Sequence, residues 1–266
     1  MFGFTLAGLA VGFAVGATGV GGGALMTPLL ILLFGVAPAV AVGTDLLYAA
    51  ITKGFGVYLH RTKGTVEWRI VGLLACGSVP ASLITIAIMR QVGVGEAMES
   101  IIVITLCAAI ILTGLMTLLR EQLRSLSQHE RFDFLKVAHR RLRTPLTIFS
   151  GVVLGVVVTL SSVGAGVIGA VILLLLYPRL PAISVVGTDL AHAVPLTAIA
   201  GIGHMSLGTV DVPMLGYLLL GSIPGIYLGT RIGFRLPDHV LRPVIAGVLI
   251  LIAIGLFSKT ALAAFT

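Results

Sequence analysis

The sequence predicts an all-α polytopic membrane protein made of two inverted five-segment repeats, each opening with a Gly-rich broken or re-entrant helical hairpin, with about 8–10 membrane segments in all. Three observations predict this. Of 266 residues, 58% are hydrophobic and only 10% are charged, against about 25% charged in a soluble domain. So few charges cannot cover a soluble surface, and a mean hydropathy of +1.13 places the chain in a bilayer. Second, the chain matches itself at an offset of 144 residues. Third, each half opens with a glycine-rich string flanked by short apolar arms.

Apolar stretches run at 2–15, 20–34, 37–59, 66–89 and 97–119, and again at 145–160, 163–177, 182–203, 210–230 and 241–257. Segments 37–59 and 66–89 are long enough to cross a hydrocarbon core of about 30 Å. The pairs 2–15/20–34 and 145–160/163–177 are not. Each arm has length for roughly 22 Å of helix, and glycine separates the arms, so two short helices meeting near mid-membrane is the natural reading. The organisation expected is a first membrane bundle over 1–119, a basic cytoplasmic connector over 120–144 and a second bundle over 145–266. Cys76 and Cys107 lie in apolar runs without a CxxC, which fits small buried hydrophobes and no metal site. With no basic residue before Lys53, the N-terminus reads as membrane domain and not as a secretory signal.

The excess of seven positive charges could be mistaken for a nucleic-acid patch. Its placement argues otherwise. With 120–144 in the cytoplasm (Arg120, Arg124, Arg131, Lys136, Arg140, Arg141, Arg143), alternation puts 14 of the 17 basic residues on the same side. Arg90 and Lys259 fall outside and Lys53 in the membrane. This follows the positive-inside rule and predicts both termini to be extracytoplasmic. The basic connector is expected to lie against anionic headgroups. The partners expected are the bilayer and a small anion, with no nucleic acid and no cofactor; a homodimer is compatible.

The repeat is specific. Val42-Gly-Thr-Asp-Leu46 matches Val186-Gly-Thr-Asp-Leu190, Gly64-Thr-Val-Glu67 matches Gly208-Thr-Val-Asp211, and Gly77-Ser-Val-Pro80 matches Gly221-Ser-Ile-Pro224. Over 42–82 there are 15 identities in 41 ungapped positions. Five segments per half is an odd number, so the second half enters the membrane upside down. Inverted repeats with short broken helices are the organisation of secondary transporters, whose site lies at the midplane where those helices meet.

Candidate site residues follow from that placement. The first tip offers Thr18, Gly19, Gly21, Gly22 and Gly23, and the second Ser161, Ser162, Gly164 and Gly166. Backbone N–H groups at helix starts attract anions, glycine permits close approach, and the hydroxyls add donors. Close helix packing through glycine is the competing account of the same residues. Three charged residues sit deep in predicted spans: Asp45, Asp189 and Lys53. Each costs roughly 2.5–3.5 kcal/mol on insertion scales. Lys53 is a candidate counter-charge for an anion or a partner for an aspartate. Thr44-Asp45 and Thr188-Asp189 fit coupling or gating, or capping of helices restarting at Leu46 and Leu190. His192 stands one turn from Asp189 and fits a proton relay or a neutral hydrogen-bonded histidine. Pro80 and Pro224 should kink their helices. His60 and His204 are expected at the interface, and Glu67 and Asp211 in first helical turns.

The tip Gly19-Val-Gly-Gly-Gly23 with Pro28, the paired Gly-Thr-Asp motifs, Ser161-Ser-Val-Gly-Ala-Gly166 and the Gly-Ser-x-Pro kinks resemble the TauE/SafE family of sulfite and organosulfonate exporters. The resemblance covers nearly the whole chain. It implies a bacterial or archaeal inner-membrane transporter of small sulfur-containing anions, and the inverted halves are expected to work by alternating access. An anion channel, or a permease for another small anion, is the alternative. An intramembrane enzyme is disfavoured, since no GxSxG, HExxH or acidic metal motif accompanies Asp45, Asp189 or Ser162, and a metal transporter lacks a His/Cys cluster.

Overall fold

The computed structural model describes residues 2–18, 23–62, 64–128 and 133–233, with 247, 251, 254 and 255. Among them there is no strand. Nine helices follow one another: α1 (Phe2–Thr18), α2 (Gly23–Phe34), α3 (Pro38–Thr62), α4 (Trp68–Val92), α5 (Glu96–Gln128), α6 (Asp133–Ser161), α7 (Val167–Leu176), α8 (Ala182–Ser206) and α9 (Val212–Gly233). The apolar stretches read from the sequence fall on them, except 241–257, which lies largely outside the described residues.

Among the described residues, five segments are long and apolar enough to cross a membrane: Trp68–Val92, Glu96–Leu119, Leu142–Ser161, Ala182–Ser206 and Val212–Gly229. Their outward faces carry Leu83, Ile84 and Ile88 on α4, Ile104 and Ile111 on α5, and Leu220 and Ile223 on α9, all exposed. In water such faces would drive aggregation; in lipid they are at home. Helix α3 matches the five in length, and its polar residues are those of the site. Helices α1, α2 and α7 are short and apolar.

One feature adds to the sequence reading and another departs from it. The basic connector is largely helical, because α5 runs on to Gln128 and α6 starts at Asp133. The polar stretch therefore extends two membrane helices. The Gly-Thr-Asp motifs also do not mark helix restarts: α3 and α8 pass through them unbroken. Asp45 and Asp189 have helical neighbours on both sides and cap nothing, so that account of their burial is withdrawn.

The packing interlocks the halves. Helix α1 lies along α9, α6 lies along α4, and α3 crosses α8. The first two contacts are glycine seams. On α1 and α9, Gly8 abuts the carbonyl of Leu218, Gly12 that of Ser222, and Gly221 that of Thr5. On α6 and α4, Gly151 abuts Leu74, Gly155 abuts Ser78, and Gly77 abuts Ile148. A Cβ at any of these positions would strike backbone. Backbones this close gain dispersion contacts and need no hydrophobic driving force, which lipid does not supply. Leu74 and Leu218, Ser78 and Ser222, and Gly77 and Gly221 are each 144 apart, so the repeat in sequence is also a repeat of contacts.

Helices α3 and α8 run antiparallel. Gly43, near the start of α3, fits against the backbone of Thr209 and the side chain of His204 at the far end of α8, while Gly201 packs on Leu47. The α3–α4 turn and the α8–α9 turn thus lie at opposite ends of this central pair.

Candidate functional site

Polar side chains buried among apolar helices gather around α3 and α8. Thr44, Asp45, Thr188 and His192 are fully buried, with Asp189 and Lys53 nearly so. Asp45 faces the start of α2, where Thr27 Oγ1 donates to its Oδ2 at 2.6 Å. Asp189 faces the start of α7: its carboxylate lies where a Cβ on Gly169 would go. Each aspartate therefore addresses the opening turns of its own half's second short arm, where the helix dipole favours negative charge.

The second tip is built by its own hydroxyls and by glycine. Ser162 N–H closes on the Val158 carbonyl at 2.8 Å, and Ser161 Oγ donates to Val157 at 2.6 Å while accepting from Val163 N–H at 3.2 Å. Ser161 is thus spent on ending α6. The chain then turns through φ of +57° at Ser162, +119° at Gly164 and +141° at Gly166, and the last two values are ones that L side chains rarely adopt. Ser162 Oγ is buried beside Asp45, and neither it nor Asp45 Oδ1 has a hydrogen-bond partner among the described residues.

Lys53 joins the two halves. Its Nζ donates to the Ala165 carbonyl in the second tip at 2.7 Å. The ammonium is attracted by both aspartates, Asp189 more than Asp45. The expected counter-charge is therefore already engaged: its Nζ is held by the Ala165 carbonyl and attracted by both carboxylates. Its repeat mate is Thr197, whose hydroxyl turns back onto its own helix at Ala193. The lysine tether has no mate.

His192 Nε2 lies 2.8 Å from Ser78 Oγ of α4, next to the Pro80 site, and its Nδ1 has no partner among the described residues. Tyr48, at the position of His192 in the first half, turns toward Ser222 without closing a hydrogen bond. Thr44 and Thr188 reach across the halves: Asp211 N–H donates to Thr44 Oγ1 and Glu67 N–H to Thr188 Oγ1, each at 3.0 Å. Sequence reasoning noticed all four motifs, yet no pattern in the chain says that they bond to each other.

Of the first tip, Thr18 closes α1 and Gly23 opens α2, while Gly19, Gly21 and Gly22 lie outside the described residues. His204 is corrected: it is fully buried, not interfacial. Its Nε2 meets the Thr159 carbonyl at 3.0 Å, which puts the ring proton there, and its Nδ1 meets Thr209 Oγ1 at 2.9 Å. Replacing His204 by Ala strands the Thr159 carbonyl, while Thr209 Oγ1 keeps its bond to the carbonyl of residue 204, and is expected to cost about 1–3 kcal/mol, read as a lowered melting temperature of the detergent-solubilised protein. Glu67 precedes α4 without a side-chain cap, whereas Asp211 Oδ1 accepts from Met214 N–H at 2.9 Å and caps α9. No group of three or more His, Cys, Asp or Glu suited to a metal occurs among the described residues.

Lipid-faced helices around two buried acids and a lysine define a multi-pass membrane protein. The chain belongs to the TauE/SafE family: the family described as "Sulfite exporter TauE/SafE" matches residues 4–256. It is 39% identical over 246 residues, 92% of this chain and 95% of the relative, to "Probable membrane transporter protein YjnA" of Bacillus subtilis (strain 168). It is 27% identical over 254 residues, 91% of this chain and 96% of the relative, to "Probable membrane transporter protein YdhB" of the same organism. A "Probable membrane transporter protein" of Xylella fastidiosa (strain Temecula1 / ATCC 700964) is 25% identical over 248 residues, 92% of this chain and 90% of the relative. No solved structure matches the chain.

Proposed function

We propose that the protein is a secondary transporter that exports a small sulfur-containing anion, sulfite or an organosulfonate, across the inner membrane by alternating access. The observation that carries this reading is the pair of buried, unpartnered oxygens at the centre, Asp45 Oδ1 and Ser162 Oγ, beside Lys53 and the start of α7. Unsatisfied groups at 0–1% exposure are costly; the Ser162 hydroxyl can donate to an arriving oxyanion, and Asp45 can do so once it carries a proton. Backbone N–H groups of the tips, the Ser162 hydroxyl and the Lys53 ammonium recognise the oxyanion. Two carboxylates against one ammonium leave the site negative when all are ionised. Anion entry therefore requires a proton on Asp45 or Asp189, which makes these residues the coupling groups. Members of the second half, 145–266, enter the membrane inverted relative to 1–119. In support, the glycine seams and the Thr bonds recur at matched positions, and α3 and α8 are antiparallel.

Purified protein in proteoliposomes is expected to show saturable, counterflow-competent flux of sulfite or of a C2–C3 sulfonate. Asp45→Asn is expected to slow that flux at least tenfold and to flatten its pH dependence. Absence of saturable flux with every anion tried would sink the reading. Linear, non-saturating flux without counterflow would identify a channel.

A further inference from the structure

The two best-matched motifs of the repeat touch each other, but across the halves. Thr44 of the first Gly-Thr-Asp holds Asp211 of the second Gly-Thr-Val-acid turn, and Thr188 of the second holds Glu67 of the first, both through a 3.0 Å bond from the backbone N–H. Both threonines are fully buried. Each bond lies at the start of the helix that runs along a glycine seam, α9 against α1 and α4 against α6. Each threonine is also followed directly by an aspartate of the central cluster. Because α3 and α8 are antiparallel, the two bonds sit at opposite ends of the molecule.

From this juxtaposition we infer that Thr44 and Thr188 are a matched pair of positioning residues, the latches of two gates, one toward each face of the membrane. The inference rests on the alternating-access reading. A backbone N–H at a helix start has no partner within its own helix, so release of a threonine exposes it and must be met by water entering from that end. Opening is thus linked to hydration of one face only. The neighbouring aspartate moves with its threonine on the same turn of helix, which ties the charge state of the central site to the latch. With both bonds formed, as here, the cluster is closed to both sides. The bond energies are modest, about 1 kcal/mol net each, as a gate that must open repeatedly requires. Gly43 supports the same design: the backbone of Thr209 sits directly on it, leaving no room for a Cβ.

The full-length protein, with Cys76 and Cys107 replaced by Ala, tests this through a single reporter, Ser162→Cys, at the centre. Labelling by a membrane-impermeant methanethiosulfonate is measured in intact cells and in inside-out vesicles. Thr188→Ala is expected to raise labelling at least threefold from the face of the α3–α4 turn alone, and Thr44→Ala from the face of the α8–α9 turn alone. Thr→Ser at either position should label as the parent does. A residue that merely stabilises the fold would lower yield without a sided change, and Thr→Val, which keeps the volume, repeats the test if Ala fails to fold. Labelling raised from the same face by both variants, or unchanged in both, overturns the latches even where saturable anion flux is intact. Opposite-sided labelling supports them whatever the flux assay finds, so the two readings fail separately.

Discussion

Lys53→Met is expected to reduce transport by more than 100-fold while the protein still inserts. The ammonium is buried at 6% exposure, donates to the Ala165 carbonyl at 2.7 Å, and is the cation between Asp45 and Asp189. Removing it frees the second tip from α3 and leaves both buried carboxylates without the cation that attracts them. Breaking a buried charge pair by deleting one partner typically costs about 3–5 kcal/mol, and proton uptake by an aspartate is the route by which the protein escapes that cost. The Lys53→Met/Asp189→Asn double variant should therefore regain most of the lost thermal stability, because the charges leave together, yet stay inactive, because the tip is still untethered. Flux and melting temperature measured on the same four proteins give a double-mutant cycle. Wild-type flux in Lys53→Met would remove the lysine from the mechanism altogether.

Gly77→Leu and Gly221→Leu are expected to prevent assembly, to nearly the same degree. Each glycine lies on a backbone carbonyl of the facing helix, Ile148 for Gly77 and Thr5 for Gly221, with no space for a Cβ. Alanine at either site forces the helices apart and should cost about 1–3 kcal/mol, as overpacking generally does. Leucine separates them by a full side chain and forfeits the close contacts that hold helices together in lipid. Size-exclusion profiles and thermal melts of the Ala and Leu variants at both positions check this. Unequal effects would contradict the equivalence of the two seams, and no effect from Ala would contradict the contact itself.

The sequence already carried the outline of these results. Hydropathy located the helices, because a lipid-facing segment must be apolar over its whole length, and the 144-residue offset located the matched positions. Burial of Asp45, Lys53 and Asp189 was legible for the same reason: a charge within an apolar span has few places to go. Partners were another matter. Nothing in the chain says that Lys53 bonds Ala165, more than a hundred residues away, because a backbone carbonyl leaves no trace in side-chain identity. Ser161 and Ser162 look alike as neighbours, but only the φ of +57° at Ser162 turns its hydroxyl away from the helix end that Ser161 closes. His204 was misjudged because a position near a helix end was equated with exposure, whereas the folding of the α8–α9 turn onto Gly43 covers it. Close helix packing, offered in the sequence for the tip glycines, is made by Gly8, Gly12, Gly77 and Gly221, while Gly164 and Gly166 turn the chain at the second tip through positive φ.

The interlocking of α1 with α9 has a consequence for how the chain is made. Gly8 meets Leu218, about 210 residues further along, so at roughly 5–20 residues per second of synthesis the first helix waits on the order of 10–40 s for its partner. Helices α4 and α6 meet far sooner. During that interval α1 carries its glycine face unpaired, in the lipid or in the care of the insertion machinery. Ribosome-bound intermediates stalled before α9 are therefore expected to hold a paired α4 and α6 beside an α1 that has not yet docked, and the biosynthetic fate of the protein hangs on that late step.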